Sequence, residues 1–135
     1  MWYQNPIEPQ KVIFDSGCSI TGTSNINDLH DVEPCGTFSV QGAFGPSTQP
    51  AHRGKLGPLG LDAILLEGMG NQTLISLSAY LAGGNTDIKY AGMFTPTEFR
   101  IYDMKTIISA IQLMSTIGTE STRGSVQGGI YVEDP

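Results

Sequence analysis

The sequence predicts a domain that is mostly β, built from short strands. Glycine and proline account for 17 and 8 of the 135 residues, so the chain turns often. Isoleucine, threonine, serine, valine and tyrosine are plentiful while strong helix formers are sparse, a mixture typical of strands. Hydrophobic residues make up 39% of the chain, and this length is sufficient for one domain with a buried core.

The N-terminal half predicts two stretches of strand separated by turns. Residues 11–14 (KVIF) predict a short buried strand, and residues 22–28 (GTSNIND) predict a turn-rich connection. Residues 36–54 predict a hairpin with its tip near 43–47, because a Gly-Pro step interrupts two strand-like flanks. We expect residues 1–10 to form an N-terminal arm that leads into one domain spanning residues 11–133.

The C-terminal half predicts strands and one short helix. Residues 72–84 predict a strand that continues into a short helix ended by two glycines. Residues 105–118 leave helix and strand open, because the spacing of the isoleucines suits a helix and the β-branched density suits a strand. Further strands are predicted at 59–68, at 92–103 with an interruption at Pro96, and at the final GGIYVEDP.

Charge and hydropathy exclude two classes of partner. The net charge is −6 and no cluster of Lys and Arg exists, so we expect no nucleic-acid binding. The apolar stretches are far shorter than the roughly 20 residues that span a bilayer, so we expect no membrane partner. The N-terminus lacks the basic start and apolar core of a signal peptide, and the expected location is cytoplasmic.

The cysteines and histidines do not form a metal-binding pattern. Cys18 and Cys35 fit free thiols in a reducing compartment, although a bridge between them stays open. The order Cys18, His30, Cys35, His52 lacks the close pairs that structural zinc sites use. We therefore expect no metal and no cofactor, and we interpret both histidines as loop or surface residues.

The triplet Asp15-Ser16-Gly17 follows directly on the apolar run VIF. A carboxylate at a strand end can activate water for attack on a peptide carbonyl. A small hydroxyl residue beside it can donate to backbone across the site, and glycine lets the main chain approach the carboxylate closely. The pattern indicates an aspartic protease. From the triplet alone an ordinary turn is the alternative, because these residue types are common in turns.

One carboxylate is only half of an aspartic protease site, because the mechanism uses two close acids that share one proton. A second copy of the triplet is missing, since no other aspartate precedes a hydroxyl residue and a glycine: Asp28, Asp31, Asp62, Asp87, Asp103 and Asp134. We therefore expect a homodimer in which Asp15 meets its counterpart at a two-fold axis.

The chain resembles the retropepsins, and more narrowly the proteases of copia-type long-terminal-repeat retrotransposons. FDSGCS at 14–19 is similar to the catalytic signature of that family, with Cys18 in an alanine position. Residues 37–57 resemble its flap hairpin and the glycine-bearing strand after it, and residues 62–81 resemble its segment that ends in Asn-Leu-(Leu/Ile)-Ser-Val-Ser-Gln-Leu. FRIYDMKTIISAI and GGIYVEDP resemble the hairpin and the Gly-Leu-Tyr ending that commonly come next, so the similarity is colinear over 11–133.

The resemblance implies a small closed β-barrel of the acid-protease fold, with a flap hairpin and one short helix. It implies a homodimeric aspartic endopeptidase that processes an extended peptide or polyprotein, in the cytoplasm or within virus-like particles. Asp15 is the implied catalytic acid, and Ser16 and Gly17 form the active-site loop. The implied substrate-binding residues are Cys18 and Ser19 on the cleft floor and Gly42, Ala43, Phe44, Gly45 and Pro46 at the flap tip. Leu74, Ile75 and Ser76 are implied to pack behind the catalytic loop.

The chain also departs from the viral members of that family. Ser76 stands where they have glycine, as in the copia-like branch, and the flap has Phe44 and Pro46 in place of a glycine run. Neither terminus matches the strands that often close the dimer of that family. Two alternatives stay open: a non-catalytic binding or assembly module of the same fold, and an unrelated small β-barrel in which the triplet is a turn.

Overall fold

The computed structural model of the chain describes residues 10–35, 40–41, 47–48, 52–68 and 70–135. Within these ranges the chain forms twelve β-strands, two α-helices and a single 3₁₀ turn at Ile26–Asp28. The strands are β1 Lys11–Asp15, β2 Thr21–Thr23, β3 Leu29–Pro34, β4 Val40–Gln41, β5 Ser47–Thr48, β6 His52–Leu56, β7 Leu61–Leu65, β8 Gln72–Ser76, β9 Tyr90–Phe94, β10 Phe99–Asp103, β11 Gly124–Gln127 and β12 Ile130–Glu133. The helices are α1 Leu77–Leu81 and α2 Met104–Ile117.

Six strands form the central sheet, in the order β1-β8-β2-β7-β6-β3. β1 runs parallel to β8 and β2 runs parallel to β7, while the other neighbours are antiparallel. The short strand β2 thus separates β7 from β8, although these two follow each other along the chain. Three two-stranded sheets, β4-β5, β9-β10 and β11-β12, complete the described strands and confirm the mostly β class.

The predicted closed barrel is wrong for the described part of the chain. Closure would require hydrogen bonds between the two outermost strands of the sheet, β1 and β3. Each of them pairs on one side only, with β8 and with β6, so the sheet is open. Lys11 and Val12 of β1 are exposed and Ile13 and Phe14 are partly buried, which corrects the prediction of a buried strand at 11–14.

The core lies against the middle of the sheet. Four partly buried side chains pack around this core: Phe14, Leu59, Ala79 and Tyr80. Each fully buried aliphatic side chain contributes roughly 1.5–3 kcal/mol to folding. The core residues are Leu29, Leu56, Leu61, Ala63, Leu65 and Ile75.

Aromatic contacts attach the remaining elements to the strand that ends in Asp15. Phe14 of β1 contacts Tyr80 of α1 edge to face, with ring centroids 5.1 Å apart. Phe14 also contacts Phe99 of β10 at 5.2 Å, and Tyr80 contacts Tyr90 of β9 at 5.6 Å. Such pairs are worth about 0.5–1.5 kcal/mol beyond the area they bury. The β9-β10 hairpin is therefore packed against the residue that precedes Asp15.

Most predicted elements are confirmed at the level of type. The strands predicted within 59–68, 92–103 and the last eight residues are β7, β9 with β10, and β12. The predicted strand and short helix within 72–84 are β8 and α1, and Gly83 takes a positive φ just after that helix.

Helix α2 covers the segment around 105–118, for which the sequence did not decide between helix and strand. The chain therefore has a second, longer helix besides the one short helix that was predicted. Ile107 is the one buried side chain of this helix. The helical spacing of the isoleucines was therefore a better guide to the secondary structure of this segment than its content of β-branched residues. Asp103 caps the helix, because its Oδ1 accepts the backbone N–H of Thr106 at 2.7 Å. This hydrogen bond holds the pKa of the Asp103 carboxyl below its ordinary value.

Candidate active site

Asp15 lies at the C-terminal end of β1, where the chain leaves the sheet. The parallel register of β1 with β8 places it beside Ser76. Its side chain is half-buried, and its Oδ1 accepts the backbone N–H of Gly17 at 2.8 Å. The carboxylate thereby closes the turn after the strand, while Ser16 and Gly17 are exposed. The predicted catalytic triplet thus forms an exposed turn with its acid at the strand end.

Ser76 forms a rigid support beside Asp15. It is fully buried, and its backbone N–H donates to Thr21 Oγ1 at 3.1 Å. Its own Oγ accepts the N–H of Ala79 at 3.4 Å and so caps α1. The segment 74–76 therefore lies alongside β1, next to the residues that lead into the turn.

Cys18 comes directly after the turn and is half-buried. Its thiol donates to the carbonyl oxygen of Ile20 at 2.6 Å. Burial raises the pKa of this thiol, the hydrogen bond to Ile20 opposes the rise, and the negative charge of Asp15 adds to it. The side chain is therefore a protonated thiol at neutral pH, which is poorly nucleophilic.

The raised pKa predicts slow alkylation of Cys18 near neutral pH. In a Cys35→Ser variant, which isolates Cys18, we expect iodoacetamide to react several-fold more slowly than with a cysteine in a short peptide. The folded pKa lies above the ordinary value of 9.0, so the rate should continue to rise with pH beyond that value. Adding Asp15→Asn should accelerate the reaction, because it removes a charge that disfavours the thiolate. An unchanged rate after that substitution would mean that the two groups do not interact.

A groove of about 440 Å³ lies beside the residues that follow the Asp15-Ser16-Gly17 turn. Ser19 and Ile20 form the end next to the turn, and β3, β6 and β7 form its walls. Ion pairs cross between neighbouring strands along these walls: Arg53 Nε donates to Glu33 Oε1 at 2.7 Å, and Lys55 pairs with Asp62. The further lining residues are Asp31, Gly54, Ala63 and Ile64.

The predicted flap is described only at its flanks. β4 pairs with β5 in antiparallel register, Val40 opposite Thr48 and Gln41 opposite Ser47, as the two arms of a hairpin do. The residues assigned to the flap tip lie outside the described residues: Gly42, Ala43, Phe44, Gly45 and Pro46.

β2 is a supporting element that was not predicted from the sequence. Residues 21–23 lie at the edge of a segment predicted as a turn-rich connection, yet they form a strand inside the sheet. Thr21 and Thr23 are 1% and 0% exposed. Thr23 Oγ1 donates to Asp28 Oδ2 at 2.8 Å and lies 3.3 Å from Thr73 Oγ1, so its hydroxyl is satisfied without water. The β-branched threonines flanking Gly22 were the available signal.

The tip of the β11-β12 hairpin is a second element whose position was not predicted. Ser78 Oγ donates to the carbonyl oxygen of Gly129 at 3.2 Å. A Cβ on Gly129 would lie 2.8 Å from Ser19 Cβ, so only glycine fits against the loop at 16–19 here. Two predicted features, the loop at 16–19 and the C-terminal strand, are therefore in contact.

No group of three or more metal-ligating side chains converges anywhere in the described ranges. Cys18 and Cys35 are free thiols. His30 is exposed and its ring lies 3.4 Å from both Asp31 Oδ2 and the carbonyl oxygen of Gly57.

The comparisons with known proteins give no family. No protein-family model, no curated protein and no solved structure matches the chain. Among the residues that the structure describes, none of the helices has the length and apolar character needed to cross a membrane.

Proposed function

We propose that the chain is a retropepsin-like aspartic endopeptidase that acts as a homodimer. The observation that carries this proposal is the placement of Asp15. The carboxylate stands at the end of a sheet strand, closes the exposed turn through Gly17 and lies beside the fully buried Ser76. A catalytic carboxylate needs this combination of fixed position and accessible surface.

The homodimer follows from the chemistry of a single carboxylate. Each chain supplies one Asp-Ser-Gly triplet, and the mechanism uses two acids within hydrogen-bond reach of one water. A two-fold axis beside the exposed turn would place two copies of Asp15 face to face. The exposure of Ser16 and Gly17 supports this arrangement, because a second chain has access to the turn.

The proposed reaction is hydrolysis of a peptide bond by water, without cofactor. One Asp15 is ionised and removes a proton from the water as its oxygen attacks the peptide carbonyl. The other Asp15 is protonated and gives its proton to the carbonyl oxygen, which forms a neutral tetrahedral intermediate. Collapse of this intermediate breaks the carbon–nitrogen bond. The amine leaves with a proton taken from the first carboxyl group, while the second Asp15 takes a proton back from one hydroxyl of the intermediate, which leaves the new carboxylic acid and restores the starting protonation of the pair.

The proposed substrate is an extended peptide segment of a polyprotein. The groove between β3, β6 and β7 begins at Ser19, within the loop that carries the catalytic acid. A peptide strand lying along sheet edges and a flap gains main-chain hydrogen bonds, and pockets for its side chains provide selectivity. The polyprotein class, and the location in the cytoplasm or in virus-like particles, rest on the resemblance to copia-type proteases.

The proposal is tested by the dependence of activity on chain concentration. A mixed peptide library incubated with the purified chain should give internal cleavages, identified by mass spectrometry. Specific activity should rise with chain concentration and level off where sedimentation equilibrium gives the dimer mass, because only the dimer holds both carboxylates.

Two results would contradict the proposal in different ways. A chain that is fully dimeric and cleaves no peptide between acidic and neutral pH would favour the non-catalytic binding or assembly module. A monomer with constant specific activity would mean that the site is complete within one chain.

A further inference from the structure

Helix α2 carries an apolar stripe that the described part of the chain leaves largely uncovered. Ile107 is 5% exposed and packs inward. Four neighbours on the same side of the helix, at spacings of three and four residues, are 42–53% exposed: Met104, Ile108, Ile111 and Met114. The opposite side is mostly polar, with Lys105, Ser109, Gln112 and Thr116, but it also carries Leu113 and Ile117, which are 58% and 75% exposed.

The β11-β12 hairpin is similarly uncovered. Every residue of its two strands is exposed, and an isolated two-stranded hairpin is only marginally stable in water. Its exposed apolar side chains, between 38% and 51%, are Val126, Ile130, Tyr131 and Val132. Such side chains on both faces of a hairpin indicate that another surface covers it.

The tip of the hairpin touches the loop that follows Asp15. Gly129 at this tip lies against Ser19 and accepts a hydrogen bond from Ser78. A surface that docks on the hairpin tip therefore docks beside Ser19, four residues after Asp15. Helix α2 precedes the hairpin by only the residues 118–123, so both surfaces belong to one C-terminal segment of the chain.

We infer that the exposed stripe of α2 and the β11-β12 hairpin are the surface on which a second copy of this chain docks. We name it the C-terminal docking surface, composed of Met104, Ile108, Ile111, Met114, Val126, Ile130, Tyr131 and Val132. This inference rests on the proposed function, because the lone Asp15 requires a second copy beside the loop that the hairpin touches.

The chemistry of the surface fits a copy of the chain better than a charged ligand. Lys105 is the one ionisable residue of α2 and lies on its polar side, so the stripe offers no charge to recognise an ionic partner. Self-association of apolar surfaces needs no charge complementarity. Standard interfaces bury about 800 Å² on each partner, and eight large, roughly half-exposed apolar side chains supply a substantial share of that area.

The test places a charge on the stripe and compares it with the same charge on the polar side of α2. Ile111→Glu should raise the dissociation constant of the dimer at least about 100-fold in sedimentation equilibrium. Ser109→Glu, the matched control, should leave it within about twofold. Ile111 is 42% exposed, so the monomer should keep its circular dichroism spectrum. Val132→Glu in the hairpin is a second variant and should act as Ile111→Glu does.

The outcomes separate this inference from the proposed function. If the wild-type chain is a dimer that cleaves peptides and neither Ile111→Glu nor Val132→Glu weakens it, the docking surface is wrong while the protease stands. If both variants dissociate the dimer but the wild type cleaves nothing, the docking surface stands and the protease fails. A wild-type chain that is monomeric at all concentrations overturns the inference.

Discussion

Replacing Asp15 with asparagine is expected to abolish peptide cleavage while the fold and the dimer persist. An amide neither takes a proton from water nor gives one to the peptide carbonyl, so the rate should fall at least about 10³-fold. The amide oxygen can still accept the N–H of Gly17, which Asp15 Oδ1 accepts at 2.8 Å in the native chain. Loss of activity should therefore occur without loss of stability, as measured by rates on one cleavable peptide and by thermal unfolding.

A neutral control is available in Asp87, which is exposed and lies in the α1–β9 connection. Asp87→Asn makes the same chemical change and should keep full activity. Retention of wild-type activity by Asp15→Asn would show that Asp15 is not the catalytic acid. An unfolded Asp15→Asn chain would instead assign Asp15 a structural role.

The same variant tests whether two chains share one site. When a fixed amount of wild-type chain is mixed with a threefold excess of Asp15→Asn chain, only dimers with two native carboxylates should cleave. Random exchange of subunits then leaves about one quarter of the original rate. A rate that does not change on mixing would place a complete site in each chain.

The local elements of the fold were predictable because their signals are local. The glycines after α1 mark the end of a helix, and the proline at 96 separates β9 from β10. The sequence pattern of residues 105–118 was compatible with both a helix and a strand. The choice of helix depends on Asp103, which caps α2, and on Ile107, which the rest of the fold buries.

Sheet order and closure were not predictable in the same way. β2 is a three-residue strand in which Thr23 bonds to Asp28 and Thr73 and Thr21 accepts the N–H of Ser76, and only the folded chain brings those partners together. Lys11 is a charged residue that sequence alone places at the surface, but nothing in the apolar run VIF indicates that Val12 is exposed or that β1 is an outermost strand. Burial at these positions is decided by which strands become neighbours.

In the candidate site, too, the local features were predictable from the sequence and the long-range contacts were not. The turn formed by Asp15 and Gly17 is contained in three consecutive residues, so the sequence predicts it directly. The contact of Ser19 with Gly129 and the hydrogen bond from Ser76 to Thr21 join residues far apart in the chain. They depend on the pairing of β1 and β2 with β8 and on the position of the β11-β12 hairpin, and therefore only the structure reveals what holds the turn in place.

Gly83→Ala is expected to be among the most destabilising single substitutions in the chain. Gly83 comes after α1 at φ +91 and is buried, and its N–H donates to the carbonyl oxygen of Tyr80 at 2.9 Å. An added Cβ would overlap the carbonyl oxygen of Ile88, a backbone atom that cannot move without displacing the chain before β9. Backbone strain and this overlap together should lower the free energy of unfolding by about 3 kcal/mol or more.

Gly57→Ala separates the cost of the backbone strain from the cost of the overlap with the carbonyl oxygen of Ile88. Gly57 has φ +67, similar to the conformation at Gly83, but no atom lies within 4 Å of the position that an alanine Cβ would take there. It should lose only the roughly 1–2 kcal/mol that a left-handed backbone costs an alanine. Urea unfolding of both variants at one chain concentration measures the difference, which is the contribution of the overlap with Ile88. Equal losses would mean that the end of α1 does not lie against the chain before β9. Because Ser76, which caps α1, lies beside Asp15, a Gly83→Ala chain that still folds should also cleave more slowly than Gly57→Ala.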